Sequence, residues 1–327
     1  MEQQVAGIDV AKLTLDIVLT NGQKTLHNKF ENTPKGHELL ARWLTRQGAN
    51  TAHVCMEATG QYGDGIAEYL YSLGFPVSVV NPARIKHYAN SKLRRNKTDK
   101  ADAQIIAEFC YRENPGLWTP PPAIFKDLQA LVRHLDGLQA TRQQEVNRLN
   151  SGVKTLAVIE SLKQICAFFD DQIKQTKEAI QTLIDQHSEL KRRQSLLITI
   201  PGIAKLTAAK LLGKIRDIQE FQNARQLAAY AGLTPRNFVS GTSVHKKARL
   251  SKTGNAHLRK ILYMPAISAR KWNSIVSIFC DRLALTGLRP MELIGAAMRK
   301  LIHLIFGILK RGKPFDPNYL ATSQTLP

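Results

Sequence analysis

Along the first thirty residues apolar and polar positions alternate in strand fashion: Val5–Val10, then 13–20, then 24–30, with Asn21-Gly22 between the last two runs. Asn-Gly between alternating runs predicts a hairpin, because both residues accept the positive φ of a tight turn. The period then changes to three and four over 35–47, where Leu39, Leu40, Trp43 and Leu44 share one side, and this predicts a helix. A short apolar run at 52–56 reads as a buried strand that delivers Glu57 at its end. Residues 61–73 read as helix, 76–80 as strand and 82–89 as a short helix. A further helix opens at Thr98-Asp99 and continues through Ile105, Ile106, Ala107, Phe109 and Cys110.

Three antiparallel strands followed by helix, strand, helix, strand and helix is the layout of a ribonuclease H-like domain. In that layout acids from the first strand, the fourth strand and a late helix meet at one point. Here they are Asp9, Glu57, Asp99 and Asp102. Asp99 and Asp102 are three residues apart, so both project from one helix face, where like charges repel unless something compensates them. A divalent metal held by hard oxygen ligands does so, and magnesium suits a phosphate substrate. A helix start is the simpler account, since Thr98 is a good N-cap and first-turn acids are favoured by the helix dipole. Asp9 has no such simple account, because an unpartnered carboxylate within an apolar strand is costly. Glu57 also reads as a solvated strand end, and Asp16 is expected on the solvent face.

From Leu117 to Pro122 the chain is extended and stiff. Beyond it, apolar residues at 128, 131, 135, 138, 146, 149 and 153 form an imperfect heptad seam with a gap at Arg142, and a second seam runs through Phe169, Ile173, Ile180, Leu183, His187 and Leu190. A long helical hairpin follows from the pair, either self-paired or shared between subunits. Ile200-Pro201-Gly202-Ile203-Ala204 lies between two helical patterns and resembles a helix-hairpin-helix turn, whose amides can face a phosphate; Ala204 stands where a second glycine is usual. Residues 236–247 read as a small-residue loop between basic residues, where Ser240 or Ser243 could approach a phosphate, although serine and glycine also make ordinary turns. Helices over 255–285 and 291–309 complete the chain.

Charge sharpens this division. The net charge is +20, and residues 196–327 carry 21 of the 46 Lys and Arg but 5 of the 26 Asp and Glu. A polyanion is the expected partner, engaged mainly by the last third, while the near-neutral first third keeps its acids for chemistry. Lys246, Lys247, Arg249, Lys252, Arg259 and Lys260 are the leading candidates for nucleic-acid contacts, with Arg270, Lys271, Arg299 and Lys300 as further backbone contacts. Cys55, Cys110, Cys166 and Cys280 show no zinc or redox spacing, which fits a reducing cytoplasm. The sequence opens without a signal-peptide pattern, and no apolar run approaches the length of a membrane span.

Several motifs occur in a fixed order: Gly7-Ile8-Asp9-Val10-Ala11-Lys12, Glu57-Ala58-Thr59-Gly60, Asn81-Pro82, Arg95-Asn96-Lys97-Thr98-Asp99-Lys100-Ala101-Asp102-Ala103, Ile200-Pro201-Gly202-Ile203, Ala231-Gly232-Leu233-Thr234-Pro235, Ser240-Gly241-Thr242-Ser243 and Leu262-Tyr263-Met264-Pro265-Ala266. The series resembles the DEDD transposases of bacterial insertion sequences, a family that includes Piv-type DNA invertases and bridge-RNA-guided recombinases. The resemblance implies an α/β plus all-α chain. A RuvC-like domain would occupy 1–120, a coiled-coil hairpin 121–195, and a mainly helical transposase domain 196–327. It implies that Asp9, Glu57, Asp99 and Asp102 are catalytic and hold Mg2+ or Mn2+, and that Ser240 is the nucleophile forming a covalent DNA intermediate. Double-stranded donor and target DNA, an element-encoded noncoding bridge RNA and further copies of the chain, as dimer or tetramer, are the implied partners. The implied setting is the bacterial cytoplasm, at the nucleoid.

Three other readings make different demands. A Holliday-junction nuclease would use the same acids without the serine. A non-enzymatic DNA-bridging protein would need none of them. An actin-like phosphotransferase could use Gly7 to Lys12 as a phosphate loop, but it would need further glycine-rich nucleotide segments and would leave the basic last third unexplained.

Overall fold

The computed structural model describes residues 4–92, 98–215, 217–240 and 244–318, with backbone alone at 61, 237–240 and 244–248. The chain divides into two compact units, Met1–Pro120 and Pro121–Pro327. No helix among the described residues is long and apolar enough to cross a membrane.

The first unit holds β1 (Val5–Val10), β2 (Thr14–Thr20), β3 (Thr25–Glu31), α1 (Pro34–Arg46), β4 (His53–Glu57), α2 (Gln61–Ser72), β5 (Val77–Val80), α3 (Pro82–Ser91) and α4 (Asp99–Glu113). The element order is the one set out from the sequence. Local chemistry fixes the helix starts: Thr33 caps α1 ahead of Pro34, Asn81 caps α3 ahead of Pro82, and Thr98 Oγ1 accepts from Ala101 N at the head of α4.

The strands form one sheet in the order β3-β2-β1-β4-β5. β1, β2 and β3 pair antiparallel, whereas β4 runs parallel to β1 and β5 parallel to β4. Both faces are covered, which is why β1 reads as a nearly unbroken apolar run. Ile8, Ile17, Val54 and Met56 pack on one face with Leu40 and Leu44 of α1 and Ile66 and Leu70 of α2. Burying each such side chain contributes about 1.5–3 kcal/mol. The opposite face receives α3 and α4, with Val5, Cys55 and Val80 meeting Ile85, Ile105, Ile106 and Phe109.

One contact on this second face is unusually close. A Cβ built on Gly7 would lie 2.2 Å from Ala107 N and 2.4 Å from Ala103 O, so α4 rests directly on the backbone of β1. Ala103 and Ala107, one turn apart, form the small-residue face that permits it, together with Val18.

The second unit comprises α5 (Ala123–Leu149), α6 (Leu156–Asp185), α7 (Ser188–Ile198), α8 (Lys205–Ile215), a 3-10 turn (Ile218–Glu220), α9 (Ala224–Tyr230), β6 (Pro235–Ser240), β7 (Val244–Leu250), α10 (Ala256–Trp272), α11 (Ser274–Ala284) and α12 (Pro290–Arg311). α5 and α6 make the long hairpin. The gap at Arg142 has a physical reason: its guanidinium binds Asp170 with Nε at 2.6 Å and Nη2 at 2.8 Å, joining the two helices where an apolar pair is missing. Leu128, Val132 and Leu135 of α5 share one core with Leu211, Leu212 and Ile215 of α8 and with Leu301, Ile302 and Ile305 of α12. Near the hairpin turn, Leu156, Ile165 and Phe168 of α6 are exposed instead.

Two segments differ from the sequence expectation. Residues 236–247, expected as a loop, belong largely to the antiparallel pair β6–β7, in which Ser240 is the Cα partner of Val244. Phe238, Val239 and Val244 are residue types that favour strands, and Gly241 separates the two runs in sequence, which suits a strand pair better than a loop. The helical stretch over 255–285 breaks at the buried Asn273. Its Oδ1 accepts from Val276 N to start α11 while its own N–H closes α10 on Ala269 O.

Candidate active site

Strand pairing decides which side chains surround Asp9. In the β1–β2 register Asp9 lies opposite Asp16, and in the β2–β3 register Asp16 lies opposite Lys29. Directly paired residues point to the same face, so Asp9, Asp16 and Lys29 form a row across three strands. The parallel β1–β4 register reaches Ile8 opposite Met56; one further step brings Glu57, the last residue of β4, beside Asp9 on that face. This is the face covered by α4.

The seat of α4 on Gly7 brings its acids to the row. Asp99, Ala103 and Ala107 are spaced four apart along one side of the helix, a step of about 6 Å per four residues. Asp9 is two residues beyond Gly7, a step of about 7 Å along the strand in the same region. Burial first, and then the negative charges of Asp102, Asp99 and Asp16, push the Asp9 carboxyl up to about 6. Asp99 and Asp102 are thus close enough to oppose the ionisation of Asp9.

Asp16 differs from expectation. It is buried, 4% exposed, rather than on the solvent face. Its Oδ1 lies 3.0 Å from His27 Nε2 and its Oδ2 lies 3.1 Å from Lys29 Nζ. Lys29 Nζ also stands 3.7 Å from Asp99 Oδ2, so one ammonium touches both the sheet and the first turn of α4. The Asp16 carboxylate raises the Lys29 pKa, chiefly by hydrogen bonding. The solvent-face expectation failed because a strand read alone shows two faces without saying which one a distant helix will cover.

The donor chemistry fits a hard divalent cation: carboxylate oxygens, surplus negative charge and an acid whose ionisation is opposed by its neighbours. Among the described residues, no three of His, Cys, Asp and Glu are gathered into a ligating group. The carboxylates that suit the ion are brought to one face without being closed on a common point, and Asp99 is engaged by Lys29.

The basic residues of the second unit divide by what they already bind. Arg259 Nη1 donates to Ala231 O at 3.0 Å and to Gly254 O at 3.4 Å, and Arg299 Nη1 donates to Leu233 O at 3.1 Å. Both guanidinium groups therefore tie loops down within the unit. Arg249, Lys252, Lys260 and Lys271 are exposed, and Lys271 Nζ lies 4.9 Å from the ring centre of the exposed Trp272. Lys300 sits over Phe279 at 5.5 Å and is partly buried. In the turn between α7 and α8, Gly202 has a φ of +103°, and a Cβ there would meet Pro265 O and Ala269 N at 2.9 Å, so the turn packs against α10. The backbone places Ser240 at the end of β6. Its side chain, those of Lys246 and Lys247, and residues Arg95, Asn96, Lys97, Gly241, Thr242 and Ser243 lie outside the described residues.

Comparison with known proteins decides the family. A transposase model for DEDD enzymes matches residues 6–158, and a model for the transposase IS116/IS110/IS902 family matches 194–279. Pilin gene-inverting proteins of Moraxella bovis and Moraxella lacunata are each 35% identical over 320 residues, covering 97% of this chain and 98% of each relative. The chain belongs to this transposase family. A transposase for insertion sequence element IS1111A of Coxiella burnetii is 27% identical over 240 residues, covering 64% of this chain and 63% of that one. A RuvC chain from T. thermophilus, solved in complex with a Holliday junction substrate, aligns with 34% of this chain and 96% of its own at 16% identity and a TM-score of 0.26. The fold assignment rests on the strand order and pairing, not on that likeness.

This transposase is accordingly an enzyme, a DNA recombinase by family. Its first family match spans Asp9, Glu57, Asp99 and Asp102, and its second spans Ser240 and the basic residues from Arg236 to Lys271. His27 and Lys29 are the members of the transposase's acid region that sequence reasoning passed over, and Asp16 is the one it placed on the wrong face. Their signal was the hairpin register, and it depends on loop length: the connection spans 21–24, so Thr20 pairs with Thr25 and Asp16 with Lys29, whereas a two-residue turn at Asn21-Gly22 would have paired Asp16 with His27.

Proposed function

We propose that this transposase cuts and rejoins double-stranded donor and target DNA through a serine–DNA covalent intermediate assisted by Mg2+ or Mn2+. Asp9, Glu57, Asp99 and Asp102 are the residues that would hold the ion, in a RuvC-like, ribonuclease H-like domain. When bound, a divalent cation polarises a phosphoryl oxygen and offsets the charge that develops on it. Asp9 must be ionised to serve; its raised pKa of about 6 holds the proton more firmly than an ordinary carboxyl does but still leaves the group mostly ionised at neutral pH.

Ser240 is the proposed nucleophile. Its Oγ forms a bond to the phosphorus as the bond from phosphorus to one deoxyribose oxygen breaks; the hydroxyl proton is lost and the departing oxygen gains one. One phosphodiester replaces another, so the DNA phosphoserine keeps the bond energy, and attack by the deoxyribose hydroxyl of a second strand reseals DNA without external energy. Water in place of Ser240 would leave a hydrolysed end. Exposed Arg249, Lys252, Lys260 and Lys271, with Lys246 and Lys247, would neutralise DNA phosphates.

The observation that carries this reading is the row Asp9–Asp16–Lys29 lying under the acidic start of α4, with Asp9 pushed up to about 6. The names of the relatives, a gene-inverting protein and insertion-sequence transposases, describe rearrangement of DNA segments, and the same class of reaction is assigned here. Guidance by an element-encoded bridge RNA and action as a dimer or tetramer in the bacterial cytoplasm, at the nucleoid, complete the proposal. The exposed Leu156, Ile165 and Phe168 beside the hairpin turn support self-association through a coiled coil. The experiment incubates the protein with supercoiled donor and target DNA, with and without RNA from the element's flanks. Recombination is expected to require Mg2+ and Ser240, and its persistence without either contradicts the mechanism.

A further inference from the structure

Lys29 stands between the sheet and the helix that carries Asp99, and its two ion pairs differ in length. The ion pair with Asp16 Oδ2 is close at 3.1 Å, whereas that with Asp99 Oδ2 is longer at 3.7 Å and correspondingly weaker. The two acids also differ in freedom. Asp16 is buried and its other oxygen is engaged by His27, while the Asp99 side chain is 62% exposed at the first turn of α4. Asp16 is therefore a fixed anchor and Asp99 the partner that can leave.

We propose that Lys29 is an internal counter-ion of the acid site: anchored on Asp16, it neutralises Asp99 until a divalent cation binds, and then releases that carboxylate. The inference rests on the reading of Asp9, Glu57, Asp99 and Asp102 as cation ligands. It makes Asp16 the holder of Lys29 and not a fifth ligand.

The physical need is visible in the charges. Asp9 and Asp16 are strand partners and Asp99 and Asp102 lie in the first turn of α4, so this helix must stay seated on Gly7 with like charges gathered nearby before any ion arrives. A cation fixed to the sheet by a buried acid supplies that neutralisation locally. Its four-carbon stem lets the ammonium withdraw without moving the backbone, so Asp99 exchanges a singly charged partner for a doubly charged one. A divalent ion then competes with the longer of the two Lys29 ion pairs.

The test is a Mn2+ titration of the full-length protein, with free Mn2+ followed by electron paramagnetic resonance, on the unaltered chain and on Lys29→Met, Asp16→Asn and the double variant. Removing the competing charge in Lys29→Met is expected to tighten Mn2+ binding by roughly two- to five-fold. Asp16→Asn unties Lys29, which then pairs more fully with Asp99, so binding weakens. In the double variant the Asp16→Asn effect should largely vanish, because no lysine remains to be released. Without metal, Lys29→Met should melt at a lower temperature than the unaltered protein, and saturating Mn2+ should close the gap. Lys29→Gln, which keeps a polar side chain, repeats the test should the methionine variant fold poorly.

Unchanged or weaker Mn2+ binding in folded Lys29→Met and Lys29→Gln overturns the counter-ion role. An Asp16→Asn effect of equal size with and without Lys29 overturns the anchor role and makes Asp16 a plain charge. Failure of the unaltered protein to bind Mn2+, or equal binding by Asp9→Asn, overturns the metal reading beneath both.

Discussion

Asp9 and Asp16 face each other across the first hairpin as Cα partners in the antiparallel register, yet their carboxylates meet opposite company. Asp16 is held by His27 and Lys29, while the charges that act most strongly on Asp9 are those of Asp102 and Asp99. One strand pair therefore presents a neutralised acid beside an acid in need of a cation. The surplus belongs to the position that faces the start of α4, where a divalent ion would gain most from binding.

The raised pKa of Asp9 sets a pH dependence. A carboxyl with a folded pKa of about 6, against 3.8 ordinarily, is favoured in its protonated form by folding. Its contribution to stability is thus most favourable below 3.8 and is lost as pH rises through about 6. Asp9→Asn removes the penalty, and in metal-free buffer it should gain about 1–2 kcal/mol at pH 8, after allowance for solvent screening. Thermal melting at pH 8 and at pH 4.5 checks this; the gain should shrink markedly at the lower pH. The same variant should lose recombination.

Gly7 tests whether the seat of α4 matters to the acids. In Gly7→Ala the new methyl would lie 2.2 Å from Ala107 N and 2.4 Å from Ala103 O, both backbone atoms, so the helix has to lift. A loss of about 2 kcal/mol or more is expected in urea unfolding. Mn2+ binding, measured where the variant is still fully folded, should also fall, because Asp99 and Asp102 move with the helix. Full retention of Mn2+ affinity would mean that the acids do not depend on this packing.

Arg259 and Lys260 are adjacent but should fail differently. Arg259→Ala strands the carbonyls of Ala231 and Gly254 that its guanidinium binds, at a cost of about 1–2 kcal/mol in stability. Exposed Lys260→Ala should leave the melting temperature unchanged and reduce the slope of log affinity for DNA against log salt by about 1. Melting curves and DNA-binding isotherms at several salt concentrations separate the two roles.

If copies of the chain share the work of one reaction, complementation should appear. Asp9→Asn protein lacks a working acid set and Ser240→Ala protein lacks the nucleophile, so each alone is expected to be inactive. A mixture that recovers recombination shows that intact acids and intact serine can come from different copies. No recovery from a mixture shown to co-assemble would confine both functions to one chain.

Much of this was legible in local pattern. The strands around Asn21-Gly22, the Thr98 cap and the paired acids of α4 are set by neighbours in sequence, and alternation or three-to-four spacing exposes them. Asp16 was misread because burial of a strand face is decided by α4, which follows far along the chain and settles on Gly7. The Arg142 gap looked like a defect in the seam until Asp170 on the facing helix supplied its partner. Small residues at 240–243 suggested a loop through 236–247, but Ser240 pairs with Val244 as part of two antiparallel strands. In each case the missing information was a partner distant in sequence.

Protein–DNA adduct formation tests the central claim most directly. End-labelled donor DNA is incubated with enzyme, Mg2+ and flank RNA, denatured, and resolved on a gel before and after protease treatment. The unaltered transposase should leave a slow band that protease removes, and Asp9→Asn and Ser240→Ala should each abolish it while still binding DNA. If Ser240→Ala instead cuts the DNA to free ends at an undiminished rate, the acids work with water and the covalent mechanism is wrong.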